Sequence, residues 1–70
     1  MEISLEQAVE IHARVLTHRL DREAPAKARE RALGLRRAGD DEGHGVWLQV
    51  AETAERLLGD KDARLAEDDR

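Results

Sequence analysis

Large apolar side chains are scarce in this chain, and that scarcity constrains its fold more than any motif does. Of 70 residues 40% are charged and 40% are hydrophobic, but eleven of the hydrophobic ones are Ala, Trp47 is the single aromatic, and Phe, Tyr and Cys are absent. Ordering so short a chain costs on the order of 100 kcal/mol of conformational entropy, which apolar burial at about 25 cal/mol per Å² must nearly match. Small side chains come close only where helices approach one another tightly. The composition therefore predicts a small all-α domain that gains by covering further surface with a second copy or another protein, a homodimer being the expected state.

Three helices follow from capping signals and periodicity. Ser4 followed by Gln7 fits a capping box, so the first helix is expected over 5–20. Its apolar residues Leu5, Val9, Leu16 and Leu20 fall within about 60° on a helical wheel, with Ala8, Ala13 and Val15 flanking and Ile11 further round. An arc that wide predicts contact with two neighbours. Asp21, Arg22 and Glu23 break the pattern, and Pro25 suits the first turn of a second helix, expected over 25–38. Ala24, Ala28, Ala32 and Leu35 give that helix a thin apolar face, with Leu33 pointing nearly the opposite way. Gly39 suits a left-handed C′ position and Asp40 an N-cap. Trp47, Val50, Ala51, Ala54, Leu57 and Leu58 then recur at spacings of three and four, predicting a third helix over 41–58 ended by Gly59. The expected architecture is an antiparallel three-helix bundle, residues 1–59, with a charged flexible tail, 60–70.

Several functions are disfavoured by what the chain contains. The lack of Cys removes disulfides, thiol nucleophiles and Cys-based metal sites. Residues 40–43, Asp-Asp-Glu-Gly, lack the alternating ligands of a calcium loop, and no glycine-rich phosphate loop is present. No enzymatic activity, cofactor or metal is expected. The first six residues show no basic region leading into a long apolar run, and no apolar stretch approaches 18 residues, so a cytoplasmic location without membrane contact is expected. Ten Arg against two Lys, with abundant Ala, suggests GC-rich coding and a bacterial or phage source.

Charge is unevenly distributed around the net −4. Arg29, Arg31, Arg36 and Arg37 crowd the second helix, whereas Asp41, Glu42, Glu52 and Glu55 load the third. Mutual attraction between neighbouring helices accounts for this, each exposed pair contributing under about 1 kcal/mol. A basic stripe for nucleic acid is the weaker reading, because those cations spread around the second helix and the net charge is negative. The acidic third helix instead suggests an alternative role as a small inhibitor, of a kind a phage could encode, that mimics nucleic acid on a basic protein groove. His12, central on the first helix's apolar arc, is expected to be largely buried. Trp47 either fills space above the alanines of the second helix or anchors an interface. The residues expected at a protein interface are Ile11, His12, Val15, Leu33, Trp47 and Leu57.

The stretch from His12 to Leu58, with Ala28 and Ala32, then Gly39-Asp40, then Trp47, Val50, Ala54 and Leu57, resembles a group of short bacterial all-helical proteins known as a domain of unknown function. The shared features are a C-cap, an N-cap and a core stripe. The resemblance implies a helical fold and carries no catalytic residue. The expected function is thus a non-enzymatic interaction module, with nucleic-acid binding through the second helix as a further alternative.

Overall fold

The computed structural model describes the backbone of residues 2–68 and the side chains of residues 2–61. It is all-helical: α1 (Leu5–Leu20), a 3-10 turn (Asp21–Glu23), α2 (Ala24–Arg37) and α3 (Asp41–Asp68), with no strand among the described residues. At the start of α1 the Gln7 N–H donates to Ser4 Oγ at 3.1 Å and the Ser4 N–H donates to Gln7 Oε1 at 3.0 Å, a complete capping box. Asp21 ends α1 with φ +52°, a region L-residues rarely adopt, while its N–H donates to the Thr17 carbonyl. Between α2 and α3, Gly39 has φ +87°, which only glycine adopts without steric penalty, and the Asp40 N–H donates back to the Leu35 carbonyl at 2.8 Å. Asp40 then caps α3 by accepting from the Gly43 N–H at 2.9 Å. A Cβ at Gly43 would sit 2.5 Å from Asp40 Oδ2, so a larger residue there would push the capping carboxylate aside.

The interior is lined almost wholly by alanine. Ala13, Ala24, Ala28, Ala32 and Ala54 are fully covered, Ala51 nearly so, and only Val9 and Val50 add larger buried side chains, with Pro25 also buried at the start of α2. Leu16, Leu20, Val46, Trp47 and Leu57 pack around this cluster, half-covered. Side chains this small fill space only if helix axes come close, so the alanines facing α3 from both other helices decide the packing. α3 is the shared partner, meeting α2 most extensively and α1 next, whereas α1 and α2 touch little. Pairings show the directions. Ala32 meets His44 and Arg29 meets Glu55, so α2 runs against α3; Val9 lines one cavity with Val46 and Val50, while Asp21 reaches Lys61, so α1 runs with α3.

Two expectations need correction. Gly59 does not end the third helix, which continues to Asp68; among the described glycines only Gly39 has the positive φ a C′ glycine uses. The expected flexible tail, 60–70, is therefore helical as far as Asp68, and residues 69–70 lie outside the described residues. With 28 residues α3 spans about 42 Å, which sets most of the 49 Å long dimension. Glycine inside a helix costs about 0.5–1 kcal/mol relative to alanine, and nothing lies within 4 Å of a Cβ built at Gly59. Gly59→Ala is expected to raise unfolding stability by that amount, read as a higher urea midpoint; a lowered midpoint would mean that the residue does serve as a helix terminator.

The second correction concerns His12, which is exposed. The line of α1 that faces inward is Val9, Ala13, Leu16 and Leu20, roughly 70° round the wheel from His12. Ala13, fully covered, lets the α1 backbone approach its neighbours, and the broad apolar arc turns to put this small residue at the contact.

Candidate interaction surface

Turning Ala13 inward leaves the remainder of the arc outside. Leu5, Ile11 and Val15 are 57, 54 and 50% exposed, Ile3 just before the helix is 63% exposed, and Ala8 and His12 stand exposed among them. These residues form the outer face of α1. Four of the six large apolar residues exposed in the described chain belong to it or adjoin it; the other two are Leu33 on α2 and Leu48 on α3. Exposed single leucines are ordinary, whereas a contiguous apolar strip on one helix is a feature of interaction sites. Ile11, His12 and Val15, expected at a protein interface, are exposed on this face. Leu5, on the apolar arc but not among the expected interface residues, is also exposed, as is Ile3, which precedes the helix and falls outside the periodic pattern.

At one edge of this face the Trp47 ring meets the His12 ring edge-on, centroids 5.0 Å apart and planes at 82°. Leu5, Ala8, Val9, Val46 and Val50 complete a shallow apolar cavity of about 240 Å³ around them. Trp47 thus lies at the α1–α3 boundary, half-buried, with its ring partner His12 on α1. Leu57 packs against the core on the other flank of α3, where it borders an open charged groove with Glu10, Arg14 and Arg56.

Several charged residues pair with one another at the surface. Arg29 of α2 pairs with Glu55 of α3, Lys27 reaches Glu30 at 3.5 Å, Arg14 reaches Glu10 at 3.0 Å and Lys61 reaches Asp21 at 3.5 Å. All are exposed, so each contributes little to stability, but Arg29–Glu55 ties the two most oppositely charged helices together as expected. Arg31 lines a shallow groove with Lys27 and Leu35, and Arg36 and Arg37 lie exposed in the last turn of α2, beside the negative end of its dipole. Asp41 and Glu42 occupy the first turn of α3, and Glu52 borders a groove with Glu10 and Arg56. The structure does not gather Arg29, Arg31, Arg36 and Arg37 into a single cavity.

Side chains with chemical potential hold local structural partners. Ser4 caps α1, and the Thr17 hydroxyl donates to the Arg14 carbonyl at 3.0 Å. His44 Nδ1 lies 2.8 Å from the Ala32 carbonyl; because a carbonyl only accepts, that nitrogen carries the proton and fastens the first turn of α3 to α2. Among the described residues no group of three or more His, Asp or Glu is placed to hold a metal ion, and no helix is long and apolar enough to cross a membrane. Comparison with protein-family models, with curated proteins and with solved structures returns no match, so the surfaces of this chain carry the functional argument.

Proposed function

We propose that this chain is a non-enzymatic protein–protein interaction module: a three-helix bundle that presents the outer face of α1 to another polypeptide chain. One observation carries the reading. The core closes on alanines and two valines, while Leu5, Ile11 and Val15, among the larger apolar side chains available, stay at least half exposed on one helix face. A chain short of large apolar residues that keeps them outside loses stabilisation it could have had internally, and docking recovers it at about 25 cal/mol per Å² covered. Trp47 at the edge of that face supplies the aromatic type enriched among residues that dominate binding energy.

The reading requires that the face be dispensable to the fold of one copy. In urea unfolding at protein concentrations too low for association, the double variant Ile11→Glu/Val15→Glu is expected to match the parent within about 0.5 kcal/mol, the range of ordinary surface substitutions. A loss of several kcal/mol under those conditions would place the two side chains in the core and remove the basis of the reading.

A further inference from the structure

Two turns connect the three helices, and only one of them is strained. Gly39, between α2 and α3, has a positive φ that glycine adopts freely. Asp21, between α1 and α2, has φ +52° and ψ −123°, the mirror image of the extended region, where any side chain brings a steric penalty. Leu20, Glu23 and Ala24 around it all keep right-handed helical angles, so the change of direction from α1 to α2 is concentrated at this one residue.

Asp21 can turn without breaking either backbone hydrogen bond it makes. Its N–H donates to the Thr17 carbonyl and moves with α1, while its carbonyl accepts from the Ala24 N–H and moves with α2. Rotation about the φ and ψ of Asp21 acts between those two groups and leaves both bonds in place. It parts Asp21 from Lys61, an exposed pair 3.5 Å apart that contributes little. α1 is also the helix that the rest of the fold holds least: it touches α2 little and meets α3 less extensively than α2 does, whereas α2 and α3 are linked further by His44 on the Ala32 carbonyl and by Arg29 with Glu55.

We propose that α1 is an exchangeable arm. Asp21 relaxes to helical angles, α1 swings out, and two opened copies trade their first helices, each seating on the partner's α2–α3 unit. The surface that α1 leaves behind, with Val46, Trp47 and Val50 on it, is too apolar to stay wet, and the helix that fits it is α1 itself. The exchanged pair therefore keeps the core contacts of the single copy and sheds the strain at Asp21 twice, the condition under which a short strained hinge favours exchange. Pro25 lacks the N–H that would bond the Asp21 carbonyl in a continuous helix, so the opened arm bends at the start of α2. The outer face of α1 takes no part in the exchange and remains exposed in the pair.

The test equilibrates concentrated protein in urea near its unfolding midpoint, transfers it to urea-free buffer, and follows the dimer by gel filtration after dilution. Separation of an exchanged pair requires α1 to leave its core, so the dimer is expected to persist on dilution while a contact between surfaces dissociates. Asp21 is exposed, so substitutions there leave the core intact. Asp21→Gly, which removes the strain from the closed copy, is expected to lower the persistent dimer's equilibrium constant by at least about tenfold. Asp21→Val, with the branched side chain that tolerates positive φ least, is expected to raise it. Ile11→Glu/Val15→Glu should give the parent's yield. An unchanged constant in Asp21→Gly with the parent's helical circular dichroism, or no persistent dimer from either the parent or Asp21→Val, would overturn arm exchange. Loss of the persistent dimer in Ile11→Glu/Val15→Glu would assign it to the outer face and overturn the exchange equally. The docking reading of that face stands or falls separately, on the low-concentration unfolding of the same double variant.

Discussion

Ala28→Leu is expected to lower the melting temperature of the chain by roughly 10–20 °C, a larger effect than any surface change will produce. Ala28 is fully covered on α2, within the cluster that contains Ala51 and Ala54 of α3, both nearly or fully covered. A leucine there adds three carbons where the helices meet through methyl groups, so the α2–α3 separation must widen along its length. Overpacking of this kind costs about 1–3 kcal/mol. A chain of this length has about 4–10 kcal/mol of total stability, and each kcal/mol shifts the midpoint of so small a domain by about 4–8 °C. Ala26→Leu, exposed on the same helix, supplies the control and is expected to leave the midpoint nearly unchanged. Calorimetry of the two variants checks this. Equal midpoints would mean that the interior is loose and that close approach through alanine is not what holds α2 to α3.

The second large effect concerns association. Ile11→Glu/Val15→Glu, which should leave the isolated copy's stability alone, is expected to weaken self-association by at least about 100-fold. Fully covering an Ile or Val side chain is worth about 1.5–3 kcal/mol; both residues are already half-covered, but symmetry counts each substitution twice. The variant also brings two added carboxylates per copy into the apposed face, and a loss of about 2.7 kcal/mol already amounts to 100-fold. Sedimentation velocity of parent and variant over one concentration series reads the change. An unaltered association constant would put the interface elsewhere.

Much of this fold could be read from the sequence because its boundaries rest on local chemistry. The Ser4–Gln7 capping box, Gly39 in the left-handed region and Asp40 as the cap of α3 each depend on residues within a turn of one another, and all three are present. The end of α3 was not legible in the same way. A glycine after an apolar stripe reads as a terminator, yet it stops a helix only if its φ turns positive, and Gly59 keeps helical geometry with its position open to solvent. Leu65 and Ala66, which continue the spacing from Leu58, were the available signal. His12 was misplaced for a different reason. When apolar residues cover more than half a helix, the wheel gives no unique centre, and the orientation is set by which side chain allows the nearest approach; here that is Ala13. The same rotation leaves Leu5, Ile11 and Val15 exposed on the outer face of α1.

An alanine-lined core that takes up Leu16 and Leu20 leaves Leu5, Ile11 and Val15 of α1 for an associating chain, a second copy being the state expected from the composition. The most direct test is the absolute mass of the unmodified protein in solution across a wide concentration series, by sedimentation equilibrium, with Trp47 fluorescence recorded on the same samples. The mass is expected to rise from 7.9 kDa toward twice that value with concentration, and Trp47 emission to be blue-shifted in the dimer and to redden on dilution as the face beside His12 opens to water. A mass of 7.9 kDa at every concentration with unchanged Trp47 emission would contradict it.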